Sequence, residues 1–322
     1  MKQRTLGRTG LQVSEIGYGA WGIGGGMWVG TDDTQSLQAL HHALDGGVNF
    51  IDTAFDYGTG HSERLVGRVV RERKERIFVA TKIRPKSLQW PAERGVPASV
   101  PYPAAYIVES AEASLRNLGM ECVDLLQLHT WQDEFLEQDG WRDALFGLQR
   151  SGKARFIGLS VNEHDPASAI RAVASGLFDT VQVIYNIFDQ SPAAEFLPAC
   201  RAHGVGVLAR VPLDEGGLTG TITPETTFPA DDWRNRYFAG DRKRQVFERC
   251  QALQTLLGQE AQTLPELALR FCLSDEAVST VIPGMRRTAT VDASVAVSDG
   301  RRLTPGLLAA LKHHAWPRNF YS

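Results

Sequence analysis

Short apolar runs alternate along the chain with longer stretches in which apolar residues return every three or four positions. Residues 4–6 and 11–13 flank the turn Gly7-Arg8-Thr9-Gly10 and predict a small β-hairpin ahead of the main pattern. Residues 15–19 read as a strand whose end is crowded by Gly17, Gly19, Gly22 and the run Gly24-Gly25-Gly26. These glycines lead into Met27, Trp28 and Gly30 instead of a helix, so the GxGxxG dinucleotide fingerprint is a poor match. The rhythm then becomes regular. Strands are expected at 49–52, 77–81, 123–128, 154–159, 180–184, 206–209 and 279–282. Helices are expected at 33–44, 62–70, 106–118, 141–150, 166–175, 193–202, 242–257, 265–273, 291–297 and 305–314. Thr31 or Asp32, Ser62 and Asp165 are placed to cap the helices that follow them, and Gly46-Gly47 and Gly119 to stop the ones before. Two segments, 85–103 and 211–240, are rich in Pro or Gly and show no period.

Strands starting at Glu15, Asn49, Ile77, Val123, Ala154, Thr180, Gly206 and Ser279 make eight, each followed by at least one helix. That count predicts an α/β fold, a (β/α)8 TIM barrel with an N-terminal β-hairpin, as one domain over residues 1–322. A doubly wound open sheet in two domains is the alternative on pattern alone.

Within this pattern the stretch NFIDTAFDYG, residues 49–58, stands apart. It begins as a buried strand, then gathers Asp52, Thr53, Asp56 and Tyr57 at its C-terminal end, where parallel α/β folds keep their ligands. In a barrel the C-terminal ends of all strands share one face. Trp21, Asp52, Tyr57, Lys82, His129, Ser160, Gln182 and Arg210 are therefore expected to be neighbours. A lysine ammonium beside a phenol favours the phenolate, a carboxylate holds the lysine charged, and a histidine can bond the reacting oxygen. Such a centre can protonate a carbonyl oxygen, or deprotonate an alcohol in reverse. Singly, each of these residues reads more plainly as a strand-end ion pair or a packed ring; their convergence on one face carries the reading.

Composition narrows the classes further. The chain has 322 residues, 43% hydrophobic and 22% charged, enough for a large core. A net charge of −3 argues against a nucleic-acid partner, and the basic run 71–76 contains Glu72 and Glu75, as a solvated helix end does. Cys122, Cys200, Cys250 and Cys272 form no CxxC pair, so neither zinc nor redox chemistry is indicated. The N-terminus lacks the apolar core of a signal peptide and no stretch reaches the ~20 apolar residues of a membrane span. A cytoplasmic protein without a membrane partner is expected. A metal-dependent hydrolase built on Asp52 and His129 lacks further ligands at the strand ends, so no metal is expected.

The sequence resembles the aldo-keto reductase family over nearly its whole length. The matching pieces are NFIDTAFDYG, ATK (80–82), DLLQLH (124–129), FIGLS (156–160), VQVIYN (181–186), GVGVLARVPLDEGGLTG (204–220) and VIPG (281–284). The resemblance implies Tyr57 as general acid, Lys82 as its electrostatic activator, Asp52 as partner of Lys82 and His129 as the group orienting the carbonyl. It implies hydride transfer from NADPH, with NADH not excluded, to an aldehyde or ketone, or the reverse from an alcohol. It also implies a monomer or simple homo-oligomer. Because some members of the family are ion-channel subunits, the alternative is an NADP(H)-binding regulatory subunit or redox sensor with little turnover.

By the same resemblance, Gly19, Ala20 and Trp21 approach the cofactor, and Ser160 and Gln182 bond the nicotinamide carboxamide. Asn162 replaces the family's asparagine, which directly follows the serine; here Val161 intervenes. Arg210 stands where an aromatic often stacks on the nicotinamide, and a planar guanidinium can also stack. Val211, Pro212, Leu213 and Gly216 would line the pyrophosphate. Gly284, Met285 and Arg286 would meet the adenosine phosphate, with Arg286 or Arg287 pairing a 2′-phosphate. Thr290, Ala293 and Ser294 replace the more usual Gln or Arg, Glu and Asn around the adenine. Trp21, Trp28, Phe55 and Trp131 are expected to wall a substrate pocket, and the two irregular segments to set its specificity.

Overall fold

A computed structural model describes residues 1–317. Two short strands, β1 (Gln3–Thr5) and β2 (Gln12–Ser14), pair antiparallel around a 3-10 turn at Gly7–Thr9. Eight parallel strands follow: β3 (Tyr18–Gly19), β4 (Phe50–Asp52), β5 (Phe78–Ile83), β6 (Val123–Leu128), β7 (Ala154–Ser160), β8 (Thr180–Ile184), β9 (Gly206–Arg210) and β10 (Val278–Val281). They lie side by side in sequence order. The two ends of the sheet meet: Ile16 bridges Val281, Gly19 bridges Gly284, and Gly17 N donates to Val281 O at 2.8 Å. The sheet therefore closes into the expected (β/α)8 barrel.

The helices α1 (Asp33–Asp45), α2 (His61–Glu72), α3 (Ala104–Leu118), α4 (Gly140–Arg150), α5 (Ile170–Ala174) and α6 (Phe196–Ala202) fill the crossovers between β3 and β9. Then come α7 (Arg234–Tyr237), α8 (Arg242–Gln254), α9 (Leu264–Leu273), α10 (Thr288–Val295) and α11 (Pro305–Lys312). Asp32 caps α1, its Oδ1 accepting from Gln35 N at 2.7 Å. Several expectations differ here: the strand expected at 15–19 is only Tyr18–Gly19, and the helix expected at 291–297 runs from Thr288 to Val295. Ser62 is no cap, because its hydroxyl is spent on Thr53 and on Ala20 O; Gly60, with φ of 79°, takes that place. Asp165 makes no side-chain capping bond, and the helix expected at 166–175 opens as a 3-10 turn, Pro166–Ala169. The helix expected from residue 193 starts at Phe196, which leaves Pro198 in the first turn, where a missing N–H costs nothing.

Strand alternation explains how one barrel holds both a core and a site. Low in the barrel, Phe50, Phe78, Ala80, Leu125, Leu208 and Ile282 form an apolar layer with Leu6 and Val13 of the hairpin. Two residues further along, the same inward face carries Asp52, Lys82, Gln127 and Arg210. The hairpin closes the bottom, and the opposite end turns polar. The larger apolar cluster lies between sheet and helices.

Candidate active site

Lys82 organises the mouth of the barrel. Its side chain is fully buried, and its Nζ donates to Asp52 Oδ2 at 2.6 Å, Thr53 O at 2.8 Å and Tyr57 Oη at 3.0 Å. All three N–H donors of the ammonium are thus used. Burial works against that charge, but Asp52 and then Tyr57 outweigh it, and the Lys82 pKa is raised. Asp52 Oδ1 also accepts from Gln182 Nε2 at 2.8 Å and Gln127 Nε2 at 3.3 Å. Burial pushes the Tyr57 phenol above its ordinary value, with the Lys82 ammonium pulling the other way. The lysine acts in the expected direction, yet burial wins, and the phenol keeps its proton.

His129 follows β6, its backbone N bonded to Ile83 O at 2.9 Å. Its ring centroid lies 6.0 Å from that of Tyr57 and 4.6 Å from that of Trp90, edge-on to both. Burial, then Lys82 and Arg210, hold its pKa well below the ordinary histidine value, so the imidazole is neutral. Its Nδ1 is buried without a hydrogen-bond partner.

The glycine-rich segment after β3 closes over this centre. A Cβ on Gly24 would lie 2.6 Å from Tyr57 O, and one on Gly58, at φ of 69°, would lie 1.8 Å from Gly24 O. Only glycines let the two loops touch, and their contact fixes the turn that carries Tyr57. Trp21 stacks on Tyr57 at 6.0 Å, and Trp28 meets Trp21 edge-on at 5.6 Å. Trp233, from the second irregular segment, lies 6.4 Å from Trp21, and its backbone N donates to Met27 O at 2.8 Å.

On the cofactor side, Ala20 N donates to Asp52 O at 2.9 Å and Gly19 pairs with Asp52. Ser160 is buried opposite Gln182. Arg210 ends β9, with Nη1 3.3 Å from Glu163 Oε1 and Nη2 3.2 Å from Val161 O. The turn beyond it is bent into the left-handed region at Val211 (φ 55°), Asp214 (φ 49°), Glu215 (φ 53°) and Gly216 (φ 100°). Asn186 Nδ2 holds Val211 O at 2.9 Å, while Pro212 is buried and Leu213 half-buried. Such a run of strained residues at a strand end is typical of a ligand-binding turn. Gly284 is exposed beside β10, Arg286 reaches toward the Trp28 ring at 5.5 Å, Arg287 is exposed, and Thr290 is half-buried on α10.

Several of the expected residues are engaged elsewhere in the structure. Trp131 does not wall a pocket: its ring is fully buried among Phe135, Trp141 and Phe178, between sheet and helices. Phe55 is half-buried under the Arg84 guanidinium, 5.2 Å from it. Asn162 spends its amide on the backbone of Ala92, accepting from N at 3.2 Å and donating to O at 3.3 Å. It therefore anchors the irregular segment 85–103. Met285 is fully buried, with its carbonyl accepting from Tyr18 Oη at 2.7 Å, and Ser294 is covered on the inner side of α10. Conversely, Trp90, Trp233 and Gln127 belong to the site without having been singled out. Gln127 had a signal, since it lies two residues before His129 on the inward face of β6. The two tryptophans had none, because they sit in segments without a period.

The arrangement can deliver one proton, from a buried phenol beside a saturated ammonium, to an oxygen placed between Tyr57 and His129. Among the described residues no group of three or more His, Cys, Asp or Glu is arranged to hold a metal ion, and no helix is long and apolar enough to cross a membrane.

The sequence matches the family model "Aldo/keto reductase family" over residues 15–315. It is 32% identical over 298 residues to aldo-keto reductase YhdN of Bacillus subtilis, covering 91% of this chain and 87% of that one. It is 31% identical over 311 residues to the NADH-specific methylglyoxal reductase of Escherichia coli, covering 92% and 93%. The solved glycerol dehydrogenase AKR11B4 of Gluconobacter oxydans superposes with a TM-score of 0.78 at 29% identity, covering 99% and 97%. With its sequence matched from residue 15 to 315 on a closed (β/α)8 barrel, the chain belongs to the aldo/keto reductase family.

Proposed function

We propose that this protein is an NADP(H)-dependent oxidoreductase that reduces an aldehyde or ketone to the alcohol, or runs the reverse, with Tyr57 as general acid. The observation that carries this reading is Lys82 Nζ, which bonds Tyr57 Oη at 3.0 Å and Asp52 at 2.6 Å from full burial. By the family resemblance the turn from Val211 to Gly216 would line the anionic pyrophosphate; it is a tight turn closed on itself, Asp214 N donating to Val211 O at 3.1 Å and Gly216 N to Leu213 O at 2.9 Å. Its two carboxyl groups do not oppose that anion fully. Asp214 is paired with Arg242 at 2.9 Å, and burial, then the neighbouring Glu163 and Asp214, push Glu215 up to about 8. Gln182 is oriented by its bond to Asp52, which engages its amide nitrogen and leaves its oxygen to accept from a carboxamide. Arg286 and Arg287 would hold a 2′-phosphate.

A bound nicotinamide supplies the hydride. The chain supplies the proton and the placement. Tyr57 Oη gives its proton to the developing alkoxide, and Lys82, kept charged by Asp52, stabilises the phenolate left behind. A neutral His129 can donate one N–H. Placing the proton on Nε2 avoids an unpaired donor at the buried Nδ1 and directs the bond to the carbonyl oxygen. Trp21, Trp90 and Trp233 exclude water from the transfer.

The test is NADPH oxidation across a panel of aldehydes and ketones, followed by absorbance. Tyr57→Phe should keep the fold and cofactor binding and lose about 10²–10⁴-fold in kcat. Turnover unchanged in Tyr57→Phe would overturn the assignment.

A further inference from the structure

We propose that Arg210 makes this site bind the reduced nicotinamide in preference to the oxidised one, because its guanidinium adds a fixed positive charge where the oxidised ring carries its own. The inference rests on the functional reading above. Arg210 is the last residue of β9 and pairs with Ile184, two residues beyond Gln182 on the neighbouring strand. Its side chain is only 17% exposed and spans from β9 to the end of β7, bonding Val161 O at 3.2 Å. Glu163 Oε1 touches it at 3.3 Å, and its Nε is buried with no hydrogen-bond partner. The guanidinium is thus held at the mouth by partners on one side, and its charge reaches both Tyr57 and His129.

The charges nearby offset it only in part. Lys82 and Asp52 neutralise each other at 2.6 Å. Glu163 contacts the guanidinium at 3.3 Å to Nη1, and so offsets part of its charge. Hydride loss turns the neutral dihydronicotinamide into a ring of charge +1. A planar guanidinium can stack on the neutral ring but repels the charged one, most strongly where water is excluded. An aromatic at the same place would stack on either form. The consequence is a site that takes up the reduced cofactor and releases the oxidised one quickly, which favours turnover in the reducing direction.

Isothermal titration of the full-length protein with NADPH and with NADP⁺ reads the preference directly. Wild-type protein should bind NADPH at least tenfold tighter. Arg210→Tyr, which keeps a stacking plane and removes the charge, should bring the two Kd values within about threefold by strengthening NADP⁺. Arg210→Lys, a charge without a plane, should weaken both nucleotides but keep the ratio. Glu163→Gln, which leaves Arg210 in place, should widen the ratio; this variant decides the case if Arg210→Tyr fails to fold by circular dichroism. A ratio near one in the wild type, or one unmoved by Arg210→Tyr and Glu163→Gln, would overturn the inference while the functional reading stands. Binding of neither nucleotide would overturn both.

Discussion

At the scale of single residues, the site separates groups that must hold a proton from groups that must hold a charge. Lys82 stays charged inside the barrel only because three oxygens surround it. Tyr57 keeps its proton because burial outweighs the same ammonium. Glu215 is a third case, with a consequence for stability. Its pKa stands at about 8 against an ordinary 4.5, raised first by burial and then by the carboxylates of Glu163 and Asp214. A carboxyl whose folded pKa is raised binds its proton more tightly in the native state than in the unfolded chain. Its contribution to stability is full below the unfolded value and is lost as pH rises through about 8. Glu215→Gln cannot titrate. Between pH 6 and pH 9 the wild type should therefore lose on the order of 1–2 kcal/mol of stability relative to Glu215→Gln, after allowance for screening. Urea unfolding of both proteins at the two pH values measures this; parallel pH profiles would show that the carboxyl does not titrate there.

At the scale of elements, strands were legible and loops were not. Residues 123–128 and 180–184 are fully buried runs with sharp ends, and the structure gives β6 and β8 those same bounds. Asp52, Lys82 and His129 could be located because strand ends of a barrel share a face, whatever the loops do. Trp90 and Trp233 could not, since their positions depend on long-range bonds, Asn162 to Ala92 and Trp233 N to Met27 O, that no local pattern announces. Trp131 misled for a related reason. It follows His129 by two residues, but the chain has left the strand by then, and the ring turns outward to Trp141 on α4 and to Phe178. The turn after β9 is held by another such non-local contact. Asp214 accepts from Tyr237 Oη at the end of α7 at 2.5 Å, and from Arg242 Nη2 on α8 at 2.9 and 3.0 Å, with both charged groups buried. Arg242→Leu strands the Asp214 carboxylate and should cost about 3–5 kcal/mol. The double variant with Asp214→Asn should recover part of that loss in the same urea experiment, because the stranded charge is gone.

For the whole molecule, the barrel works as a cup with one end sealed, and the two ends answer to different constraints. At the bottom, the hairpin places Leu6 and Val13, both fully buried, against Phe50, Phe78, Leu125 and Leu208. Arg4 fastens it by donating to Leu273 O at 2.5 Å and Val278 O at 2.6 Å, and Arg8 N donates to Gly204 O at 2.6 Å. The contact is close: a Cβ on Gly7 would lie 2.1 Å from Gly206 N. None of these residues belongs to the polar layer at the mouth, which starts two positions further along each strand. A cavity at the bottom should therefore lower stability without disturbing the site. Leu6→Ala should cost about 2–5 kcal/mol, through lost burial and the space left behind. The Kd for NADPH, measured by titration well below the unfolding transition, should stay within about twofold of the wild-type value. A matched loss of affinity and stability in Leu6→Ala would mean that the bottom of the barrel also sets the geometry of Asp52, Lys82 and Tyr57. The hairpin would then be part of the catalytic scaffold as well as its plug.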